Sequence, residues 1–471
     1  MKAVGGALSA TLIAVLLAGC VLPQREAPRG APIDAQALGL GAGAPLAPVA
    51  ADWWKSFDDP QFDALMEEAL QRSPTLGQAL ARMRLAQAGV QADIAASRPG
   101  IAIEAEETWQ RLSEHYYIPP PFAGDTMWIG QATANLRWGL DFWGRQAALI
   151  RAARSRALAS ELDVAAARLA IAGAVGQAYV DLHEATGLLD IASRTQAQRE
   201  RLLELTRQRT AAGLGSGIEL RIAESAVPAA RALHLQAAAA RDMAVHRLAA
   251  LVGAGADRYA TIGRPTLALD AALPLPGRLP IDLLAHRPDV LAAHARVDAA
   301  IAGRAATHAA FYPDITLTAL VGTQAIGLDE LVERGSRIYG IGPALHLPIF
   351  DAGRLRAAYK GATADLDAAT AGYNGTVLEA VRQASDQLTL EASFSKQVTA
   401  AAATLQGASR AYDLAGRRYA AGLSSQIVLL DAESRVLDAR RALLTSQSNR
   451  LRARMNLLLV LGGSFDPGAP R

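Results

Sequence analysis

Cysteine is almost missing: Cys20 stands alone among 471 residues. One thiol excludes an internal disulfide framework and a cysteine-cluster metal site. An excess of one charge is missing too. The chain has 47 Lys and Arg against 45 Asp and Glu, a formal net charge of +2, so no strong field suggests a nucleic-acid partner. Aromatics make up only 5%, while hydrophobic residues reach 51%, much of it alanine, which favours long, closely packed helices. Beyond the N-terminal stretch no run of 18 apolar residues occurs, so no α-helix is built to cross a bilayer. If this chain spans lipid, it does so with β-strands. Catalytic signatures are lacking as well. His183-Glu184 has no second His at helical spacing, and the eight histidines are scattered. Leu214-Gly215-Ser216-Gly217-Ile218 lacks the first Gly of a nucleophile elbow, and there is no Walker loop. No enzyme activity, nucleotide, metal or other cofactor is expected.

What is present begins with an export signal. Lys2 precedes an apolar run from Ala7 to Ala18, which ends at Leu17-Ala18-Gly19-Cys20. That layout is a secretory signal peptide, too short for a spanning helix. Its last four residues resemble the bacterial lipobox, in which the Cys is acylated and becomes the new first residue. The alternative is an ordinary signal with Cys20 incidental. In similar lipoproteins a residue other than Asp after the Cys, here Val21, favours the outer membrane. Residues 1–19 are therefore read as signal, and 20–51 as a lipidated Cys and a flexible Pro-, Gly- and Ala-rich tether.

The remainder reads as one plan written twice. Gly144-Arg145 and Gly353-Arg354 open two long helical stretches, with 353 − 144 = 209. Gly213-Leu214 and Gly422-Leu423 interrupt them, with 422 − 213 = 209, and Ala223-Glu224 matches Ala432-Glu433 at the same offset. Upstream, Pro74 matches Pro288 and Pro99 matches Pro313, each 214 apart, which puts a deletion of 214 − 209 = 5 residues between the two sets of markers. A register kept over so many markers marks an internal duplication. The first repeat is assigned to 52–272: a helix, strands 101–118 and 126–142, a long helix 144–212 and a helix 216–252. The second is assigned to 273–463: a helix 280–311, strands 314–325 and 336–349, a long helix 353–421 and a helix 424–461. Residues 464–471 form a C-terminal tail.

The strands alternate with period two. Trp128, Gly130, Ala132, Ala134, Leu136 and Trp138 share one face, and Gln131, Thr133, Asn135 and Arg137 the other. Ile101, Ile103, Ala105 and Trp109 alternate with Glu104, Glu106, Thr108 and Gln110, and strands 314–325 and 336–349 repeat the pattern. A water-filled membrane barrel needs this alternation, although a half-buried soluble sheet has it too. No proline occurs in 145–211, a stretch that would span ~100 Å as a helix. In the second long helix Val398, Ala401, Leu405, Ala408, Tyr412, Ala415 and Tyr419 form a heptad seam, as in a coiled coil. Four strands cannot close a conducting barrel, and open edges are not tolerated in lipid. Three chains would pool twelve strands and six long helices.

Several stretches carry a family resemblance: Trp53-Trp54-Lys55-Ser56-Phe57-Asp58-Asp59-Pro60, Arg287-Pro288-Asp289-Val290, Phe311-Tyr312-Pro313, and above all Gly342-Pro343-Ala344-Leu345-His346-Leu347-Pro348-Ile349-Phe350-Asp351-Ala352-Gly353-Arg354. In this order, behind a lipobox and on a duplicated plan, they resemble the TolC-like outer-membrane efflux proteins in their NodT-type lipoprotein branch. The resemblance covers Trp53 to Gly463. It implies a mostly α fold with membrane β-strands, assembled as a homotrimer: a twelve-stranded β-barrel continued by a long periplasmic α-helical barrel. It implies an outer-membrane exit duct for drugs or other small molecules. The implied partners are a periplasmic adaptor (membrane fusion) protein and an inner-membrane RND-type pump, with no nucleic acid. The alternatives are an outer-membrane channel for type I protein secretion and a structural lipoprotein without a pore.

The resemblance also places sites. Arg209, Gly213 and Leu214, with Arg418, Gly422, Leu423 and Ser424, would form the adaptor-docking tip; as local structure the glycines are also plain helix C-caps. Asp431 falls at the position of the family's constricting aspartate, with Ile427 one turn earlier on the same helical face. In a trimer these would stack an acidic ring on an apolar ring ~6 Å apart. The alternative for Asp431 is an ordinary i,i+4 pair with Arg435. His294 stands where relatives often carry Glu, which leaves the local pairing open.

Overall fold

Both long helices begin behind the same kind of turn. Gly144 and Gly353 take positive φ, 72° and 89°, and release helices of equal length, α3 (Arg145–Ala211) and α6 (Arg354–Ala420), 67 residues each. Each runs to another positive-φ glycine, Gly213 or Gly422, and is followed by a 35-residue helix, α4 (Gly217–Leu251) or α7 (Gln426–Val460). The duplication read from residue offsets is thus present in conformation. The computed structural model describes residues 27–33, 38, 52–115, 118–268, 287–463 and 465. Cys20 and the start of the expected helix 280–311 lie outside the described residues. Among those described, no helix is long and apolar enough to cross a membrane.

The other elements are α1 (Pro60–Arg72), α2 (Pro74–Ala96), β1 (Gly100–Arg111), β2 (Thr126–Leu140), α5 (Pro288–Ala309), β3 (Asp314–Ile326) and β4 (Arg337–His346). Several ends differ from the sequence expectation. The single opening helix is two, broken at Ser73 before Pro74. The first strand, expected to reach 118, stops at Arg111. There Leu112 turns to bond Asp125 and Gly124, and the following Pro119-Pro120-Pro121 offers no N–H to a ladder. The second stops at Leu140 rather than 142, because the Asp141 carboxylate accepts from Ala147 N–H to start α3. The fourth stops at His346, just before Pro348. The tether is not free throughout: Arg29 and Gly30 N–H groups donate to Asp367, and Ile33 N–H donates to Asn374.

The chain divides into two units. The first, whose described residues are 27–32, 82–115, 118–160 and 293–373, holds all four described strands. They form one antiparallel sheet in the order β1-β2-β3-β4, and the β2–β3 pair joins the two repeats. Its edges are β1 and β4.

The second unit contains most of α3, α4, α6 and α7. Its aromatic core is built from Trp53, Phe57 and Phe62, the last stacked on Tyr179 at 4.8 Å. Beside it Asp59, only 2% exposed, accepts from the Tyr179 hydroxyl (2.8 Å) and from the N–H groups of Thr266 (2.7 Å), Gln61 (3.0 Å) and Phe62 (3.3 Å). Burial, and then the hydrogen bond to Asp59, pushes the Tyr179 phenol up, so it stays a donor. Asp59 thus caps α1 and ties it to α3 and to the 263–266 segment. Asp59→Ala should strand three or more donors and cost ~3 kcal/mol, read as earlier melting of this unit by limited proteolysis on heating. The heptad seam of α6 is half-buried from Val398 to Tyr412 and buried at Ala415, while Tyr419 emerges to 41% exposure near the turn.

Candidate gate and docking turns

The sheet sorts its side chains as a membrane wall does. The pairing registers Glu104↔Thr133↔Gly322 and Glu106↔Gln131↔Gln324 put these residues with Asn135, Arg137, Thr316 and Thr318 on one face. Glu104, Asn135, Arg137, Thr316 and Thr318 line a concavity of about 800 Å³ on that face. The opposite face carries Ile101, Ile103, Val321, Tyr339 and Ile341, each 60% exposed or more. So much exposed apolar surface is stable only against lipid or a partner. Trp109 and Trp128 pack across β1 and β2 at 5.2 Å, and Trp138 sits ten residues along β2. Ten residues rise ~33 Å, which at a strand tilt of ~40° is ~25 Å of height, the apolar band of an outer-membrane barrel. Glu107 falls on this apolar face beside Trp109, one step from the aromatic end; the alternation rule alone did not single it out.

The candidate gate lies early in α7. Ile427 is half-buried and Asp431 is exposed. Within one chain Asp431 is bonded to Arg435 Nε at 3.1 Å, both side chains well solvated. The simple i,i+4 pairing therefore exists in the protomer, and a ring of carboxylates would need further copies. Sequence reasoning missed what holds α7 here. Gln198 of α3, fully buried, donates to the Leu430 carbonyl and to Ser434 Oγ (3.1 Å). Three residues on, Arg201 forks to both oxygens of Glu433 at 3.0 and 3.2 Å. These contacts bracket Asp431. Glu433 was legible only as a repeat marker; Gln198 and Arg201 carry no sequence signal, since a polar residue within a long helix is usually solvated.

Both candidate docking turns are αL helix ends. Gly213 has φ 71°, Leu214 N–H donates to the Arg209 carbonyl (2.8 Å), and Arg209 Nη2 closes the loop on the Leu214 carbonyl (3.1 Å). Gly422 has φ 73°, and Leu423 N–H donates to the Arg418 carbonyl at 2.8 Å. The first turn continues into a capping box: Ser216 Oγ accepts from Glu219 N–H while the Glu219 carboxylate accepts from Ser216 N–H. Leu214 (69%) and Leu423 (70%) point into solvent, while Ser424 is half-buried. His294, left open by the sequence, bonds Asp298 at 3.3 Å and meets the Tyr373 ring edge-on.

A lipid-facing sheet joined to very long helical hairpins defines a subunit of an outer-membrane channel. The chain belongs to the outer membrane efflux protein family, whose model matches residues 65–254 and 279–463, one match per repeat. It is 36% identical to the fusaric acid resistance protein FusA of Burkholderia cepacia over 76% of this chain and 69% of the relative. It is 32% identical to the outer membrane protein OprJ of Pseudomonas aeruginosa, over 98% of this chain and 96% of that one. Among solved structures, VceC of Vibrio cholerae superimposes with a TM-score of 0.81 at 33% identity, covering 89% of this chain and all of VceC. The CmeC outer membrane channel of Campylobacter jejuni shares the fold, with a TM-score of 0.84 at 22% identity over 95% and 96% of the two chains. The protein is an outer-membrane efflux component of this family, with the TolC-like mixture of helical and β structure.

Proposed function

We propose that three copies of this chain close a twelve-stranded barrel and form a passive exit duct for drugs or other small molecules. The duct receives its cargo from an inner-membrane RND-type pump through a periplasmic adaptor docked at the two Gly-Leu turns. It needs no nucleotide, metal or cofactor of its own, and Asp431 with Ile427 narrows it at rest. The observation that carries this reading is the sheet: four strands with one apolar face exposed and two open edges. Open edges do not persist in lipid, and pairing β1 of one copy with β4 of the next removes them all. Relatives named as efflux and multidrug resistance outer-membrane proteins favour efflux over protein secretion. The test is the purified protein itself. Trimers that survive SDS but not boiling, and that conduct in a planar bilayer, are expected; a monomer that never inserts would sink the proposal.

The same reading holds that the chain is anchored by lipid on Cys20. Cys20→Ser should abolish labelling by radioactive palmitate, while the barrel still assembles through its strands. Undiminished label in the Ser variant would mean that Cys20 is not the lipid anchor.

A further inference from the structure

The apolar face of the sheet carries three charges. Glu107 stands on it beside Trp109 of β1. Arg337 of β4 stands on it too: Arg337 is paired with Thr323, Thr323 with Ala132, and Ala132 with Ala105. Arg111, two residues beyond Trp109, is the third. All three belong to the edge strands β1 and β4, and the inner strands β2 and β3 put no charge on this face. Arg111 is engaged within the protomer, by Glu114 at 2.8 Å and by the Gly124 carbonyl at 3.0 Å. Glu107 and Arg337 are exposed, and neither side chain has an ion pair or hydrogen bond among the described residues. A charge on the lipid side of a barrel is unfavourable when it stands alone. Two of opposite sign, one on each open edge, can be paired only when the edges meet.

Barrel geometry fixes how they meet. Without stagger, the level of Gly100 runs through Arg137 and Thr318 to Gly342. Over the four strand spacings of one copy, ~19 Å, a strand tilt of ~35–45° displaces the next copy by ~13–19 Å, about four to six residues. An odd stagger would turn one copy's apolar face into the lumen, so about four or about six remain. In one sense, about four sets Gly100 against Ile338 and pairs only two residues of β4, and about six pairs none. In the other sense, about four sets Gly100 against His346 and Trp109 against Arg337, so all 10 residues of β4 are paired. About six in that sense sets Arg337 against Arg111, like charges face to face. The smaller stagger avoids that. In it Arg337 of the next copy is the diagonal neighbour of Glu107, at ~7–8 Å between backbones, within reach of an arginine. Trp109, 55% exposed although it packs on Trp128, offers the guanidinium a ring to lie on. We propose that Glu107 of one copy and Arg337 of the next form an ion pair across each seam of the barrel, with Arg337 against Trp109, and that this contact sets the register of the seam. It rests on the trimeric barrel and adds the site that each copy completes for its neighbour.

The test is a charge swap in the full chain, read as SDS-resistant trimer left in outer-membrane fractions after a fixed heat step. Glu107→Arg and Arg337→Glu should each leave about fivefold less trimer than the parent, and the two together should restore most of it. Glu107→Gln and Arg337→Gln stand in where a reversed charge prevents folding; together they should lose no more than either alone. The register is read separately, with a short bifunctional thiol reagent that bridges copies. Leu345→Cys with Ile101→Cys, opposite each other at a stagger of about four, should give covalently linked copies. Leu345→Cys with Ile103→Cys, opposite at about six, should give far fewer, with the parent and its single Cys20 as the blank. Single changes without effect, or losses that simply add in the double variant, overturn the ion pair. More bridging from Ile103 than from Ile101 overturns the register, and the contact with it. A parent chain that gives no SDS-resistant trimer is a different failure: it removes the barrel on which the contact rests.

Discussion

Replacing Asp431 with alanine should turn a nearly silent trimer into one that passes clear, larger single-channel currents in a planar bilayer. The expectation follows from what three carboxylates do when brought together. Converging like charges repel, which costs free energy unless each is offset nearby. Arg435 Nε, 3.1 Å from Asp431, supplies that offset on the same helix. Both side chains are well exposed in the protomer, so as an isolated pair they contribute only ~0.3–0.5 kcal/mol. If that pairing is their whole role, the Ala variant will conduct as the parent does, and the constriction lies elsewhere. If they form a ring, the Ala variant opens the acidic narrowing. Arg435→Ala should then open it by another route, leaving three uncompensated carboxylates to push apart. Larger currents in both variants support the ring, and larger currents in neither remove it. Ile427, one turn away and half-buried, would remain as an apolar constriction, so Ile427→Ser with Asp431→Ala should conduct more than either single change.

The contacts that hold α7 beside Asp431 were the least legible part of the sequence. Repeats, strands and long helices could be read because each depends on a periodic or repeated signal: offsets of 209 between glycines, period-two alternation, proline-free runs. The turns could be read because only a few residues tolerate their backbone, and Gly213 and Gly422 both adopt positive φ. Three of the four strand ends were read too long because alternation does not register where hydrogen bonding stops; for the first two a carboxylate at Asp141 and the prolines at 119–121 decided that. The Gln198–Leu430 and Arg201–Glu433 contacts join residues 232 apart, and nothing local in either helix announces them. Asp431 was named by family likeness, and its immediate partner Arg435 by helical spacing. Each came from a different kind of information, and only their combination makes a candidate gate with a compensating charge.

Gly322→Ala should all but abolish assembled trimer in the outer membrane, although it adds one methyl group. Gly322 lies in β3 directly opposite Thr133 of β2, in the pair of strands that joins the two repeats. A Cβ there would run into the Ala132 carbonyl oxygen and sit 2.7 Å from the Thr133 Cα, both backbone atoms of the neighbouring strand. Both are backbone atoms, so no rotamer change can relieve the clash; the strands would have to part. Parting them breaks ladder hydrogen bonds at the centre of the sheet, a cost of more than ~4 kcal/mol, and leaves unpaired strand edges that lipid does not tolerate. Gly342 in β4 provides the comparison: a Cβ there meets nothing within 4 Å, although it lies on the same face of the same sheet. Gly342→Ala should therefore assemble as the parent does. The measurement is the amount of SDS-resistant, heat-dissociable trimer in outer-membrane fractions at matched expression. Equal trimer from both variants would mean that β2 and β3 are not packed as closely as this, and the register that separates lipid face from lumen face would have to be revised with them.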